Sequence, residues 1–436
     1  MFWILSHRTY RHLFLAQAIA LVGTGLATIA LGLLAYDLAG EDAGAVLGTA
    51  LAIKMIAFVT VAPVAAAFTQ YLPRREMLVG LDLVRAAVAL ALPFVTEVWQ
   101  VYALIFVLQS ASAAFTPTFQ ATIPDILPDE KEYTRALSLS RLAYDLESVI
   151  SPVLAAALLT IVSFHDLFAG TVIGFLASAA LVVSVVLPSP KPSAPRGIYD
   201  RTTRGARIYL ATPRLRGLLA INLAIACAGA MVIVNTVVYV QAVFGLDQHS
   251  TAIALAVYGS GSVVAALFLP KLLETLADRT VILTGAALLA VGTFAASTAS
   301  SYTQLLPIWF VIGLGYSMSQ TPSGRLLRRS SRPEDRPALF AAQFALSHAC
   351  WLVAYPLAGW AGSTFGLPVA AVVLACLASV SIGFALSVWP SDDPETMEHS
   401  HNDLPIDHPH LVEAHGRRHS HPFVIDDIHA AWPTKT

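Results

Sequence analysis

Charge is what this sequence has least of. Only 12% of its 436 residues are Asp, Glu, Lys or Arg, while 56% are hydrophobic; soluble domains run at roughly a quarter charged. The deficit extends over most of the chain and excludes an ordinary soluble core in favour of a polytopic membrane protein. Cysteine is equally scarce. Cys227, Cys350 and Cys376 all lie in apolar runs, with neither the spacing of a disulfide framework nor a CxxC pair for redox work or zinc. No phosphate-cradling Gly-rich loop ends in Gly-Lys-Ser/Thr, so ATP hydrolysis within this chain is unsupported, no catalytic residue is assigned and an enzyme is not expected. The first residues, MFWILSHRTYRHLF, lack a short apolar run with a cleavage site and read as a cytoplasmic lead-in to a first span. The net charge of −2 says little, because the asymmetry lies between loops. Nucleic acid is not an expected partner.

Apolar sequence of membrane-spanning length is abundant. Twelve segments qualify, at about 13–38, 44–69, 77–96, 99–120, 137–162, 167–187, 215–241, 250–273, 280–299, 303–324, 337–362 and 366–389. They are rich in Ala, Leu, Val, Gly and Ser, and small residues let helices approach closely in lipid. Lipid forbids open strands and no alternating barrel pattern occurs, so the spans are helical. Loop charges test the count. Arg8 and Arg11, Arg74 and Arg75, Lys131, Arg135 and Arg141, Lys191 to Arg216, Lys271 and Arg279, and Arg325 to Arg336 fall in or beside alternate connections. The intervening loops hold only acids: Glu41, Asp42, Glu97, Asp166 and Asp247. This split predicts twelve spans with both termini cytoplasmic. A basic, Pro-rich stretch at 188–214 reads as a cytoplasmic linker between a six-helix half at 1–187 and another at 215–389. Both halves place a basic cluster after their second span, in YLPRREMLVGLDLVRA and LETLADRTVILTGAAL, which suggests a transporter with a central path between halves.

These features carry a resemblance to the major facilitator superfamily as far as about residue 390. The loop after the second span matches the family's clustered basics with Arg74 and Arg75, followed by Asp82 and Arg85. Thr69, Gln70 and Tyr71 stand where the family has Asp-Arg, whereas the second half keeps Asp278 and Arg279. The resemblance implies that Arg74, Arg75, Asp82, Arg85, Asp278 and Arg279 form a conformational latch, weighted to the second half. The ATIPD stretch after span four is similar to the bacterial exporter branch. SPVLAA at 151–156 stands where antiporters of the family carry Gly-Pro-x-x-Gly-Gly; Pro152 keeps the expected helix kink, and Ser151, Ala155 and Ala156 replace the glycines.

Ionisable groups inside a membrane are functional candidates because each is expensive without a partner or water. Lys54 in span two, Asp145 and Glu147 in span five, and His348 and Cys350 in span eleven are the candidates for transport and coupling. Each has a plainer reading. Asp82 and Arg85, three apart, suit a structural ion pair. Asp145 has Arg141 one turn earlier, and Asp145 and Glu147, two apart, face different ways. Lys54 suits a structural carboxylate partner equally well. His348 beside Cys350 suits a satisfied buried pair, a metal site or, for His348, proton transfer.

The last stretch, 390–436, is polar and unpatterned, and little fixed structure is expected of it. It holds eight of the thirteen histidines: His399, His401, His408, His410, His415, His419, His421 and His429. Three His-x-His pairs make a divalent metal ligand set, with Asp403, Asp407, Glu413, Asp426 and Asp427 as further donors. The tail is similar in composition to those of nickel-resistance permeases. The sequence therefore predicts an all-α membrane protein of twelve helices in two halves. It would be a monomer of the bacterial inner membrane that needs no cofactor beyond a metal held by the tail. Its function reads as proton-coupled export of a divalent transition metal, nickel first, by alternating access. The alternative is proton-coupled export of organic compounds, drugs or siderophores; a metal sensor without flux ranks below both.

Overall fold

The computed structural model describes residues 2–39, 43–68, 72–188, 197–393, 396–401, 405, 410–411 and 418–433. His408, His415, Asp403, Asp407, Glu413 and the Thr69, Gln70, Tyr71 triplet lie outside them. The first half contains α1 (Arg8–Ala39), α2 (Ala43–Phe68), α3 (Arg74–Ala91), α4 (Val98–Ile126), α5 (Glu130–Leu158) and α6 (Phe164–Val183). A shorter helix, α7 (Ile198–Ala211), leads to α8 (Pro213–Val237), α9 (Gln248–Thr275), α10 (Asp278–Ala296), α11 (Tyr302–Gln320), the short α12 (Ser323–Arg329), α13 (Arg336–Phe365) and α14 (Leu367–Val388). The twelve long helices fall on the twelve apolar segments of the sequence. Ten are long and apolar enough to cross a membrane. The other two are α5, whose first half carries Glu130, Lys131, Glu132, Arg135 and Arg141, and α11, which carries Gln304 and Gln320.

Local chemistry sets the boundaries. The Asp129 carboxylate accepts from the Glu132 backbone N–H at 2.9 Å and starts α5. Asp247 caps α9 in the same way through the Ser250 N–H at 2.8 Å. Pro213, at the first turn of α8, costs no intrahelical hydrogen bond and forces extended backbone on Thr212, which ends α7. Gly366, with φ of 86°, makes the left-handed turn from α13 into α14. The outward faces are apolar: Phe94, Ile161 and Val186 are 78, 79 and 82% exposed, as lipid-facing side chains are.

The packing repeats. In the first half α1 packs on α5 and α6, α2 on α4, and α3 on α4 and α6. In the second, α8 packs on α13 and α14, α9 on α11, and α10 on α11 and α14. Each contact maps onto its counterpart when α1–α6 are paired with α8–α11, α13 and α14. Across the halves, α2 meets α13 and α5 meets α9, which is one contact repeated by a pseudo-twofold axis.

The linker stretch contains an amphipathic helix: α7, with Ile208 and Tyr209 buried, packs against α13 and α2. One expectation changes. The tail holds more structure than its polar composition suggested. Strands β1 (Thr396–Ser400) and β2 (Arg418–Pro422) pair antiparallel, with His399 opposite His419. Phe423 and Ile425 are buried in the core of the second half, which supplies the apolar anchor that the polar residues lack.

Candidate transport site and gate

The starts and ends of the helical body share one face, the basic face of the loops. The polar links between halves gather here. Asp125, at the end of α4, accepts from Arg74 at 2.5 Å within its own half and from Arg336, which opens α13, in the other. The pseudo-twofold counterpart has its charges inverted. Arg325 binds Asp278 at 2.9 Å within the second half and reaches Glu130, which opens α5, in the first. Tyr133 donates to the Gly324 carbonyl at 3.3 Å, and Arg328 donates to the Pro128 carbonyl. These contacts join the two halves across the basic face.

Of the six residues assigned to the latch, Arg74 and Asp278 stand in these two networks. Arg75 donates to the Val183 carbonyl at 2.5 Å, and Arg279 to the Trp389 carbonyl at 3.3 Å, each inside its own half. Asp82 pairs with Arg85 and accepts from Ser178 at 2.7 Å, while the Arg85 guanidinium lies 4.0 Å from the Phe115 ring and 4.6 Å from Phe175. That pair is buried in the first half. Asp125, Glu130, Arg325 and Arg336 carry the ion pairs between the halves, and they were not singled out from the sequence as latch residues. The available signal was a charge at the end of a span on both sides of a basic loop.

Nearer the middle, Asp145 and Glu147 point to different helices. Asp145 pairs with Arg141 and accepts from Ser262 of α9 at 2.6 Å, so it faces the opposite half. The Arg141 guanidinium also stacks 4.7 Å from the Tyr316 ring of α11. Glu147 faces α1: an added Cβ on Gly25 would stand 2.4 Å from Glu147 Oε1 and 2.2 Å from Ser151 Oγ. Lys54 of α2 lies within electrostatic reach of Glu147, and its ammonium sits 5.6 Å from the Phe58 ring. The helix α5 runs on through position 152, whose side chain lies outside the description.

His348 and Cys350 part company. The His348 ring packs against Phe58 of the other half, 4.8 Å between centroids, and against Phe344, with Nδ1 donating to the Phe344 carbonyl at 2.7 Å. Cys350 packs instead against the second-half core, on the side of Cys227 and Tyr209. Two residues apart on a helix is about 200° of rotation, so the two do not form one ligand pair.

The tail gathers six imidazoles. The ligand atoms of His399, His410, His419 and His421, and those of His399, His401, His410 and His429, form two overlapping sets, each within 4.8 Å. Burial pushes His399 and His410 down to about 4, reinforced by the neighbouring histidines, and His401 is lowered for the same reasons. Burial opposes ionisation of Asp426, but its bonds to His429 and the nearby Arg332 hold the carboxyl well below the usual range.

The family model described as Major Facilitator Superfamily matches residues 13–247 and again 218–424. The chain belongs to that family of multi-pass membrane transporters. Macrolide efflux protein A of Streptococcus pyogenes is 23% identical over 177 residues, 39% of this chain and 43% of that protein. Macrolide efflux protein A of Enterococcus faecalis is 27% identical over 120 residues, 26% of this chain and 37% of that protein. The match thus spans less than half the length of these relatives. The human organic anion transporter MFSD10 (TETRAN) superposes with a TM-score of 0.76 at 11% identity, over 87% of this chain and 99% of that one. A bacterial homologue of the iron transporter ferroportin, in its outward-facing state, gives 0.72 at 14% identity over 87 and 99%. At such identities the likeness is one of fold.

Proposed function

We propose that the protein is a proton-coupled exporter of organic compounds, acting as a monomer in the bacterial inner membrane with both termini in the cytoplasm. The observation that carries this reading is the sequence kinship with macrolide efflux proteins. The residues between the halves suit such cargo. Phe58, Phe344 and His348 meet across α2 and α13, and Tyr258 and Tyr316 meet edge to face near Arg141; large organic solutes are held by apolar and aromatic walls with a few polar groups. With the basic face shut, the molecule is in the outward-facing arm of an alternating-access cycle. Glu147 and Lys54 are the coupling pair in this reading. Asp145 with Arg141 and Ser262 is a charge set at the seam of α5 and α9, able to answer a protonation change nearby.

Nickel export, the first reading of the sequence, rested on the tail and gains no support from the efflux relatives. The imidazole cluster sits on the basic face of the second half, not among Lys54, Asp145, Glu147 and His348. Inside-out vesicles with an imposed proton gradient test the choice. Accumulation of a macrolide or a cationic dye, abolished by a protonophore, is the expected result. Gradient-driven uptake of Ni2+ or Zn2+ with no uptake of any organic probe would overturn it.

A further inference from the structure

The tail cluster is organised in a way that its polarity alone does not explain. His399 Nδ1 lies 3.1 Å from the Met397 carbonyl, and His429 Nδ1 lies 2.9 Å from Asp426 Oδ1. A carbonyl and a carboxylate only accept, so both Nδ1 atoms carry the proton and both Nε2 atoms of the neutral rings are bare lone pairs. Those two Nε2 atoms stand 3.1 Å apart. His421 repeats the pattern: its Nδ1 donates to the Pro422 carbonyl at 2.9 Å, and its Nε2 is buried without a hydrogen-bond partner. His410 Nε2 lies 3.1 Å from His401 Nε2 and 3.0 Å from His419 Nε2. The bare Nε2 lone pairs of His399 and His429, 3.1 Å apart, repel unless a cation lies between them. Nitrogens on a tetrahedral zinc stand about 3.3 Å apart, given Zn–N bonds of roughly 2.0–2.1 Å. Asp426 behind His429 is the carboxylate that fixes ring orientation and basicity in metal sites.

The cluster is also wired to the gate. Asp426 binds Arg332 at 2.6 Å, in the connection that leads into α13. Asp427 binds Arg204 of α7 at 3.0 Å, and Arg204 Nη2 binds Asp335, just ahead of Arg336, at 2.8 Å. Trp432 covers the Arg214 guanidinium at 4.9 Å. We propose that the tail holds one divalent transition metal of the zinc type, with His399 and His410 common to its ligand sets, and that this ion is a regulator and not cargo. Occupancy fixes the tail over α7 and the start of α13. It thereby favours the state in which Arg336 holds Asp125 and the basic face is shut. The ion shifts the equilibrium only by as much as it binds that state better.

The test uses the full chain in nanodiscs, stripped with chelator and titrated separately with Zn2+ and Ni2+, with Mg2+ as control. The background lacks the three native cysteines and carries Ala341→Cys as a reporter buried between the halves. One bound zinc-type ion per chain is expected, together with at least a fivefold slower maleimide labelling of the reporter when metal is present. His399→Gln with His410→Gln should remove both effects. Asp426→Asn, a milder change, should weaken binding at least tenfold with the helical content intact. No retained ion, or binding unaltered in the double variant, would overturn the site. A retained ion with unchanged labelling would overturn its regulatory role. Neither readout needs transport, so failure of the efflux reading is scored separately.

Discussion

Arg336→Gln is the sharpest probe of the gate. Arg336 is 13% exposed at its side chain and meets Asp125, 11% exposed, across the seam. The substitution keeps a polar side chain of similar reach and removes one charged hydrogen bond between the halves, while Arg74 remains on Asp125 and prevents an orphaned carboxylate. Such bonds contribute about 1.5–3 kcal/mol, and each 1.4 kcal/mol is a factor of ten, so the open-to-closed ratio at the basic face should rise about 10- to 150-fold. Ala341→Cys reads this directly, because Ala341 is 1% exposed and packs with Phe58, Ala62 and Ala113 of the first half. In a background without the native cysteines, its labelling by an impermeant maleimide in inside-out vesicles should accelerate in that proportion. Glu130→Gln, at the counterpart position, should act in the same direction. If labelling is unchanged in a folded Arg336→Gln protein, the pair does not hold the face shut and the reasoning fails.

Three other outcomes follow from the geometry. Gly313→Ala would put a Cβ 1.9 Å from the Tyr258 carbonyl and force α9 from α11, costing about 1–3 kcal/mol; a lower Tm is expected, with Gly80→Ala, which meets nothing within 4 Å, as the neutral control. Glu147→Gln should abolish proton-driven accumulation, and Lys54→Met should add little to it, because each is the other's electrostatic partner; independent effects in a double-variant cycle would break the pairing. For the metal-free tail, His399 and His410 have folded values near 4 against an ordinary value near 6.5. The undocked chain therefore binds more protons between those limits, and docking weakens as pH falls from about 6.5 to 4. Limited proteolysis of the tail should speed up over that window, and protection that grows on acidification would contradict the sign.

Much of the architecture was legible because lipid imposes it. Length, apolarity and the alternation of basic loops placed all twelve helices, and the echo after the second span of each half marked the internal repeat. The separate directions of Asp145 and Glu147 also followed from helical spacing alone. What stayed hidden was tertiary pairing. Asp125 sat unnoticed in ATIPD because nothing local says that it meets Arg336, 211 positions on. Tail structure was hidden for a related reason. Its strands are short and polar, and it is held by a few distant anchors, Phe423 and Ile425 against the second-half core and Asp426 on Arg332. Composition does not record such anchors.

The inverted networks have one more consequence. At the seam both carboxylates, Asp125 and Glu130, come from the first half, and both guanidiniums, Arg336 and Arg325, come from the second. In these two ion pairs each half thus presents a single sign to its mate. At these positions two first halves would set carboxylate against carboxylate and two second halves guanidinium against guanidinium, so unlike halves are favoured. Had the repeat kept the same charges in both copies, either half could have paired with its own kind. The polarity of these pairs favours pairing of unlike six-helix units, and co-expressed as separate chains they should assemble as one of each.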